Sequence, residues 1–467
     1  MAYPKSDILN NFDVFPKVLV KDKPAVIRIR PTGGRVVIRP DTDYELVVCY
    51  IDGGEPEDFP LQADFRAIRV RADADGCVTL HHTFDKEGEY FLRILKEPGG
   101  RDKLIQFSVY CVEEDLAGRW PLIGDLHMHT TRSDGNQDPA VVCANYRKYG
   151  YDFMVVSDHN RYYPSLEAID AYRDVATELT IVPGEEVHMP WVHDKGNACH
   201  IVNFGSEYSV NALVEGPQLD EVGDGLQYRA IRTDNVPDTM TKEEFYEKMC
   251  LLAEEIDVPD GVDRYPAAVC KWVFDHIRAG GGLGIFPHPN WRPNVNNVAE
   301  AFTDWIFSAH VCDAFEVLGG ENYYNHNGYQ TARYYTQWAK GNRLPVVGST
   351  DSHSSYESNR NAFICATIVF SPANERKALI ASVKDFYSVA VDTISKEYRL
   401  VGQERFIRYA CFLLEHYFPI HDELCYEDGR LMKQYVTGTA EERAEAKRLL
   451  DAICGRVDAC RKKYFDF

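Results

Sequence analysis

Gly124-Asp125-Leu126-His127-Met128-His129-Thr130-Thr131-Arg132-Ser133-Asp134-Gly135 directly follows the apolar run Pro121-Leu122-Ile123. The run predicts a strand over 122–128. Alternate residues of a strand share a face, so His127 and His129 project together and two imidazoles can converge on one ion. Alone the pair is a weak signal: with 15 His in 467 residues, chance supplies roughly half an H-x-H pair per chain. Its weight comes from repetition further along. Val155-Val156-Ser157 runs into Asp158-His159, Ile181-Val182-Pro183-Gly184 into Glu185-Glu186, and His200 opens His200-Ile201-Val202-Asn203-Phe204. Leu283 to Pro287 ends in His288, Ala314-Phe315 in Glu316, and Val346 to Thr350 in Asp351-Ser352-His353.

Between these strand ends the chain has the rhythm of βα units. Asp138-Pro139 is an N-cap and N1 pair and Gly150 a stop, which predicts a helix over 139–149 between strands at 122–128 and 152–157. Further strands fit 179–183, 200–204, 283–287, 313–318 and 344–348. About seven strands with intervening helices predict an α/β fold, a closed or distorted (βα)7-type barrel over 119–370, whose strand ends open on one face. A polynuclear metal centre follows from that convergence. Residues of about 205–264 form an insertion rich in Asp, Glu, Asn and Gly, with a helix expected near Thr241 to Ile256.

Outward from the barrel, residues 1–118 read as a β-sandwich of about seven strands, immunoglobulin-like in size and spacing. Val26 to Arg30, the turn Pro31-Thr32-Gly33-Gly34 and the return Val36 to Ile38 read as a hairpin. Later strands fit Tyr44–Ile51, Phe65–Val70, Val78–Phe84, Tyr90–Leu95 and Leu104–Val112; in the last, Ile105, Phe107, Val109 and Cys111 face a core and Gln106, Ser108 and Tyr110 face outward. After Ser371-Pro372 a helical C-terminal region is expected over 371–467, with Thr439 and Glu442 as a capping box and Leu450, Ile453, Val457 and Cys460 along one apolar face. A homo-oligomer contact is one role open to it.

Composition narrows the function classes. The 51 Lys+Arg against 72 Asp+Glu leave a formal charge of −21, which repels nucleic acid and anionic membranes. With no leader-like opening and no apolar run of membrane-spanning length, a cytoplasmic protein is expected. The 13 cysteines are odd in number and include no C-x-x-C, so neither a disulfide framework nor a thiolate zinc site is indicated. No G-x-G-x-x-G or Walker-type loop is present, which leaves nucleotide redox and P-loop chemistry without support.

The ordered set H-x-H-T-x-x-S-D-G, D-H, G-x-E, H-P and S-x-D-x-H over about 121–370 resembles the PHP (polymerase and histidinol phosphatase) superfamily of metal-dependent phosphoesterases. The β domain also looks like that of the branch containing carbaryl hydrolases. The resemblance implies that His127, His129, Glu186 and Asp351 serve one ion, that Glu186 bridges to a second held by His200 and His288, and that Asp134, His159 and His353 complete a third. Asp134 stands where many relatives carry histidine. The ion identity, Zn, Fe or Mn, is left open by a thiolate-free set of imidazoles and carboxylates, and two or three divalent ions are expected.

Other readings run beside these. Asp134 can instead cap the turn before Gly135, and Asp125 and Asp158 suit acceptors that orient ligands. Glu316 can ligate, orient a water or pair with a base. Arg132, Arg161 and Arg292 can grip phosphate oxygens, with Asn160 and Asn290 as donors at the same mouth; Trp291, Tyr323 and Tyr324 can line a pocket. His188 and His193 read as loop residues, and His81, His82, His416 and His421 as structural. Hydrolysis of a small phosphorylated molecule is the activity expected. An ester or carbamate hydrolase is the alternative, and a non-catalytic metal-stabilised binding module a third reading.

Overall fold

The computed structural model describes residues 11–34, 36–52, 67–100, 102–214, 236–292, 294–320, 326–355, 365–392 and 399–467. The chain divides into two compact units, one of residues 1–119, 408–423 and 455–467, the other of 120–407 and 424–454.

In the first unit β1 (Phe12–Phe15), β2 (Val18–Val20), β3 (Pro24–Pro31), β4 (Asp43–Tyr50), β5 (Ile68–Arg71), β6 (Val78–Thr83), β7 (Gly88–Leu95) and β8 (Lys103–Val112) form two sheets, ordered β1-β3-β6 and β2-β8-β7-β4-β5. Ile27, Ile29 and Leu80 of the smaller sheet share one buried cluster with Leu46, Leu92, Phe107 and Val109 of the larger, the packing of a sandwich. The expected hairpin does not form. β3 pairs with β1 and β6, and residues 36–38 are not a strand. Alternation tells which face of β3 is buried but not which neighbour takes its edge, and β1 occupies the place expected of 36–38. On β8 the inward residues are as expected, yet Ser108 and Tyr110 on the other face are buried too. Tyr110 packs at 5.0 Å from Tyr409 and 5.3 Å from Phe412, so a helical segment from far along the chain covers the face expected to meet water. The first residues of the expected Phe65–Val70 strand lie outside the described residues.

The second unit holds β9 (Trp120–Asp125), β10 (Phe153–Val155), β11 (Thr180–Val182), β12 (Gly184–Val187), β13 (Ile201–Phe204), β14 (Leu283–Phe286), β15 (Ala314–Leu318), β16 (Val346–Gly348), β17 (Cys365–Ser371), β18 (Ser388–Asp392) and β19 (Arg399–Val401). They make two mixed sheets, β11-β10-β9-β17-β18-β19 and β12-β13-β14-β15-β16, flanked by helices. The α/β class is as read from the sequence, but the regular parallel succession is not. β12 with β13, β13 with β14, and β17 with both β9 and β18 pair antiparallel. Continuous apolar runs mark buried strands without giving their direction, and Pro183, lacking an N–H, parts β11 from β12 so that they enter different sheets.

At the His127 end the ladder passes from one sheet to the other. Asp351 N–H donates to His127 O (2.8 Å), Ser157 N–H to Met128 O (3.0 Å) and Glu186 N–H to Ser157 O (3.1 Å), and single bridges join Met128 to Ser352 and His159 to Glu186.

The helix Pro139–Lys148 starts as expected, with the Asp138 carboxylate accepting from Ala140 N–H. Helix Lys242–Glu255 has its capping box at Thr241 and Glu244, and 215–235 of the insertion lie outside the described residues. The C-terminal region departs from its reading. Ser371 closes β17 rather than capping a helix, Arg376–Lys384 is helical, and β18 and β19 follow. A proline suits a strand exit as well as a helix entrance, so the Ser-Pro signal was ambiguous. The capping box at Thr439 and Glu442 is present, but the helix from 439 is broken at Gly455, whose φ of 87° is left-handed. Leu450 and Val457, expected on one face, therefore belong to different units, and 371–467 contributes to both rather than standing apart. Among the described residues no helix is long and apolar enough to cross a membrane, and no disulfide joins the cysteines.

Candidate metal centre

The motif residues that are not ligand candidates explain how the others are placed. Asp125, buried at the end of β9, accepts from His127 N–H (3.1 Å), Thr350 N–H (3.0 Å) and Thr350 Oγ1 (2.5 Å), which ties the loop after β9 to the loop after β16. Asp158 accepts from Thr130 N–H (2.8 Å), Thr130 Oγ1 (2.7 Å) and Ser133 Oγ (2.5 Å), so the D-H element locks the T-x-x-S turn. Both aspartates hold backbone and hydroxyls rather than the imidazoles. A Cβ on Gly135 would lie 2.6 Å from His129 O, so only glycine permits this turn to close behind His129. Asn160, His288 and Asp351 have φ of 61°, 28° and 47°, left-handed conformations that cost about 1–3 kcal/mol each and concentrate where a site needs them.

All the histidines and acids assigned by resemblance meet here. His127 Nε2, His129 Nε2, Glu186 Oε2 and Asp351 Oδ1 form one cage: His127 to His129 is 3.3 Å, each imidazole is 3.5 Å from Glu186, and they are 3.3 and 3.0 Å from Asp351. Donors set tetrahedrally about one ion at ~2.1 Å are about 3.4 Å apart. On the other carboxylate oxygen, Glu186 Oε1 is 2.8 Å from His200 Nδ1 and 3.3 Å from His288 Nε2. Asp134 Oδ1 lies 3.3 Å from His353 Nε2 and 3.6 Å from His159 Nε2, and His129, Asp134, His159 and His353 form one group able to hold an ion. Glu186 Oε2 and His200 Nδ1 are buried without a hydrogen-bond partner. Buried polar atoms are rarely left so, and atoms that crowd together without bonding to each other are aimed at a common point that a cation would fill.

Electrostatics agree. Burial alone would lower His127, but Asp351, Glu186 and Glu316 hold it well above its ordinary value. His159 is likewise driven down by burial and up by Glu186 and Asp134, ending at about 10; His288 and His353 are also raised, mainly against burial, by Glu186 and by Asp134 respectively. His200 goes the other way, to about 4, because burial dominates. Burial would raise Glu186, yet His200, His127 and His159 keep it well below the usual carboxylate range. At pH 7 several of these imidazoles therefore carry protons that an incoming cation must displace, so metal affinity rises with pH. Calorimetry of metal uptake at pH 7 in two buffers of different ionisation enthalpy should give different heats, reporting release of at least one proton; equal heats would contradict this.

Of the readings open to Glu316 the structure favours pairing with a base, and Arg132 and Asn160 have partners of their own. Glu316 is fully buried and its Oε2 is 3.0 Å from His127 Nδ1, so it fixes that ring with Nε2 toward the cage and is not itself in the donor set. Arg132 is held by Glu167 (2.6 Å) and Asp138 (3.4 Å), so its guanidinium is already neutralised and unsuited to gripping phosphate. Asn160 is placed by its backbone, which donates to Glu186 O (3.0 Å). Of the adjacent acids, Glu185 faces away and accepts from Ser209, Val210, Asn211 and Asn203, pinning the start of the insertion. Trp291 lies 6.1 Å from His288 and 6.3 Å from His200, centroid to centroid. Tyr323 and Tyr324 lie outside the described residues. His188, read as a loop residue, belongs to the cluster: its Nε2 is 3.4 Å from Glu186 Oε2 and 3.0 Å from His159 Nδ1. The signal was available, since residue i+2 of a strand shares the face of residue i. His193 pairs with Glu243 at the surface, and His81, His82, His416 and His421 lie in the other unit.

No protein-family model matches the chain, and no curated protein matches it. Among solved structures it is similar to a two-domain protein containing a predicted PHP-like metal-dependent phosphoesterase from Bacteroides vulgatus, 16% identical over 62% of this chain and 69% of that one, with a TM-score of 0.38. An amidohydrolase from Chromobacterium violaceum, with bound sulfate and no metal, is 17% identical over 50% of this chain and 87% of that one, with a TM-score of 0.29. Likeness this loose carries no argument about activity, which rests on the site itself.

Proposed function

We propose that the chain is a metal-dependent hydrolase of the PHP type, a phosphoesterase acting on a small phosphorylated substrate. The observation that carries this reading is the buried cage of His127, His129, Glu186 and Asp351, whose spacings are those of donors around one ion. In this reading Glu186 would serve two ions, the second with His200 and His288, and Asp134, His159 and His353 would hold a third. Bound divalent ions supply Lewis acidity, bringing the pKa of water toward neutrality and stabilising charge on attacking and leaving oxygens.

The chain's own residues do the rest. Glu316 holds His127, Asp125 and Asp158 hold the loops, and His127, His129, Glu186 and His288 are buried from bulk water. Beside the His288 loop, Asn290 and Arg292 line a cleft of about 470 Å³, a volume suited to a small molecule; its Arg333 is already paired with Asp304 (2.6 Å) and Glu300 (3.2 Å). Arg292 has the anion-holding role in this reading. The formal charge of −21 disfavours nucleic acid as substrate.

Purified protein loaded with Zn, Mn or Fe should hydrolyse p-nitrophenyl phosphate, and a chelator should abolish turnover until metal is restored. Turnover confined to naphthyl esters or carbamates would move the assignment to ester and carbamate hydrolysis. No turnover of either class by metal-loaded protein would overturn the enzymatic reading.

A further inference from the structure

His188 has no place among the ligands assigned above, yet its imidazole lies inside the cluster. Its backbone N–H donates to Asn211 Oδ1 (3.2 Å), in the segment that buried Glu185 pins through Asn211 Nδ2 and Ser209. Its ring packs on that of His200 with centroids 4.0 Å apart, and on that of His159 edge-on at 4.7 Å. The ring is therefore held from both sides. Its Nε2 lies 3.0 Å from His159 Nδ1 with hydrogen-bond geometry. The opposite nitrogen of His159, Nε2, faces Asp134.

A neutral imidazole that ligates through one nitrogen carries its proton on the other, and that N–H requires an acceptor to set the tautomer and the ring plane. Two acceptors lie within reach of His159 Nδ1: Glu186 Oε2 at 2.6 Å and His188 Nε2 at 3.0 Å. Glu186 Oε2 also belongs to the first cage, with His127 and His129 each 3.5 Å away, so its lone pairs are committed there. His188 is the acceptor that remains.

We infer that His188 is a positioning residue for the third ion: it accepts the His159 Nδ1 proton and so presents His159 Nε2 beside Asp134 and His353. The inference rests on the metal-centre reading and adds a requirement to it. Asp134, His159 and His353 are also the more exposed of the assigned ligands, with Asp134 and His353 at 56% and 38%, so this position is the least enclosed of the three. Exact orientation of His159 then matters more to it than to the Glu186 positions.

The test is metal stoichiometry and affinity by equilibrium dialysis with elemental analysis, on full-length wild type, His188→Ala and His188→Gln, each checked for wild-type circular dichroism. Loss of an outer acceptor typically costs 10–100-fold in metal affinity. His188→Ala should lose the weakest-bound equivalent by about that factor and keep the tighter ones. His188→Gln, whose carboxamide oxygen can accept the same proton, should recover most of the loss. Unchanged affinity in His188→Ala would overturn the inference, as would equal losses in both variants, which would indicate direct ligation. Wild type that takes up no metal at all would instead refute the metal centre, an outcome the wild-type arm separates from failure of the inference.

Discussion

Glu186→Gln should strip the centre of two ions while leaving the fold intact, and this is the largest functional effect expected of any single substitution. The carboxylate is fully buried, with one oxygen facing His127 and His129 and the other facing His200 and His288. Glutamine keeps the shape but loses the charge, and it replaces one donor oxygen with an NH₂ that cannot ligate. Lewis-acid stabilisation is worth several kcal/mol, and 1.4 kcal/mol is tenfold in rate, so phosphatase activity should fall by more than about a thousandfold. Glu185→Gln is the control. Glu185 is equally buried, but its carboxylate is saturated by Ser209, Val210, Asn211 and Asn203. That variant should lose stability and keep its metal. Elemental analysis of the two proteins decides the point; metal retained by Glu186→Gln and lost by Glu185→Gln would reverse the assignment.

The largest stability effect is expected at Arg147, far from any chemistry. Its guanidinium is fully buried, donating to Asp428 (2.9 Å), Asp152 (3.4 Å) and Tyr151 O (3.2 Å). Asp152 in turn accepts from Ile123 N–H (3.2 Å) on β9, so the pair connects the first helix of this unit to the strand that delivers His127. Arg147→Met removes the cation and leaves two buried carboxylates uncompensated, which costs roughly 3–5 kcal/mol. Denaturant titration should show that loss. Adding Asp428→Asn to Arg147→Met should restore part of it, because the stranded charge is then gone; a single variant as stable as wild type would show that the network contributes nothing.

Why some features were legible in the sequence and others not follows from the interactions involved. The ligand candidates could be read because each stands in or beside a short apolar run, although the antiparallel β13 brings in His200 from the start of its strand rather than the end. Asp138-Pro139 and Thr439 with Glu442 could be read because a helix cap is local. What failed was pairing. The partners of β3, the antiparallel entry of β17 between β9 and β18, and the cover over Tyr110 all depend on residues distant in sequence, and an apolar run is silent about them. The Arg132 pairing was out of reach for a similar reason, since Glu167 is a neighbour that spacing alone does not reveal, and for Glu316 spacing left three readings open, among which only the place of His127 decides. His188 is different: it directly follows β12, two residues after Glu186, and a two-residue period carried one step past the strand puts its ring with the ligands.

The most direct test of the central claim is anomalous diffraction from crystals of the full chain soaked in Zn or Mn, recorded on both sides of the absorption edge. The account predicts at least two strong peaks, one within bonding distance of His127, His129, Glu186 and Asp351 and one between Glu186, His200 and His288. A map with no peak among these residues under saturating metal, or with peaks only elsewhere, would contradict it.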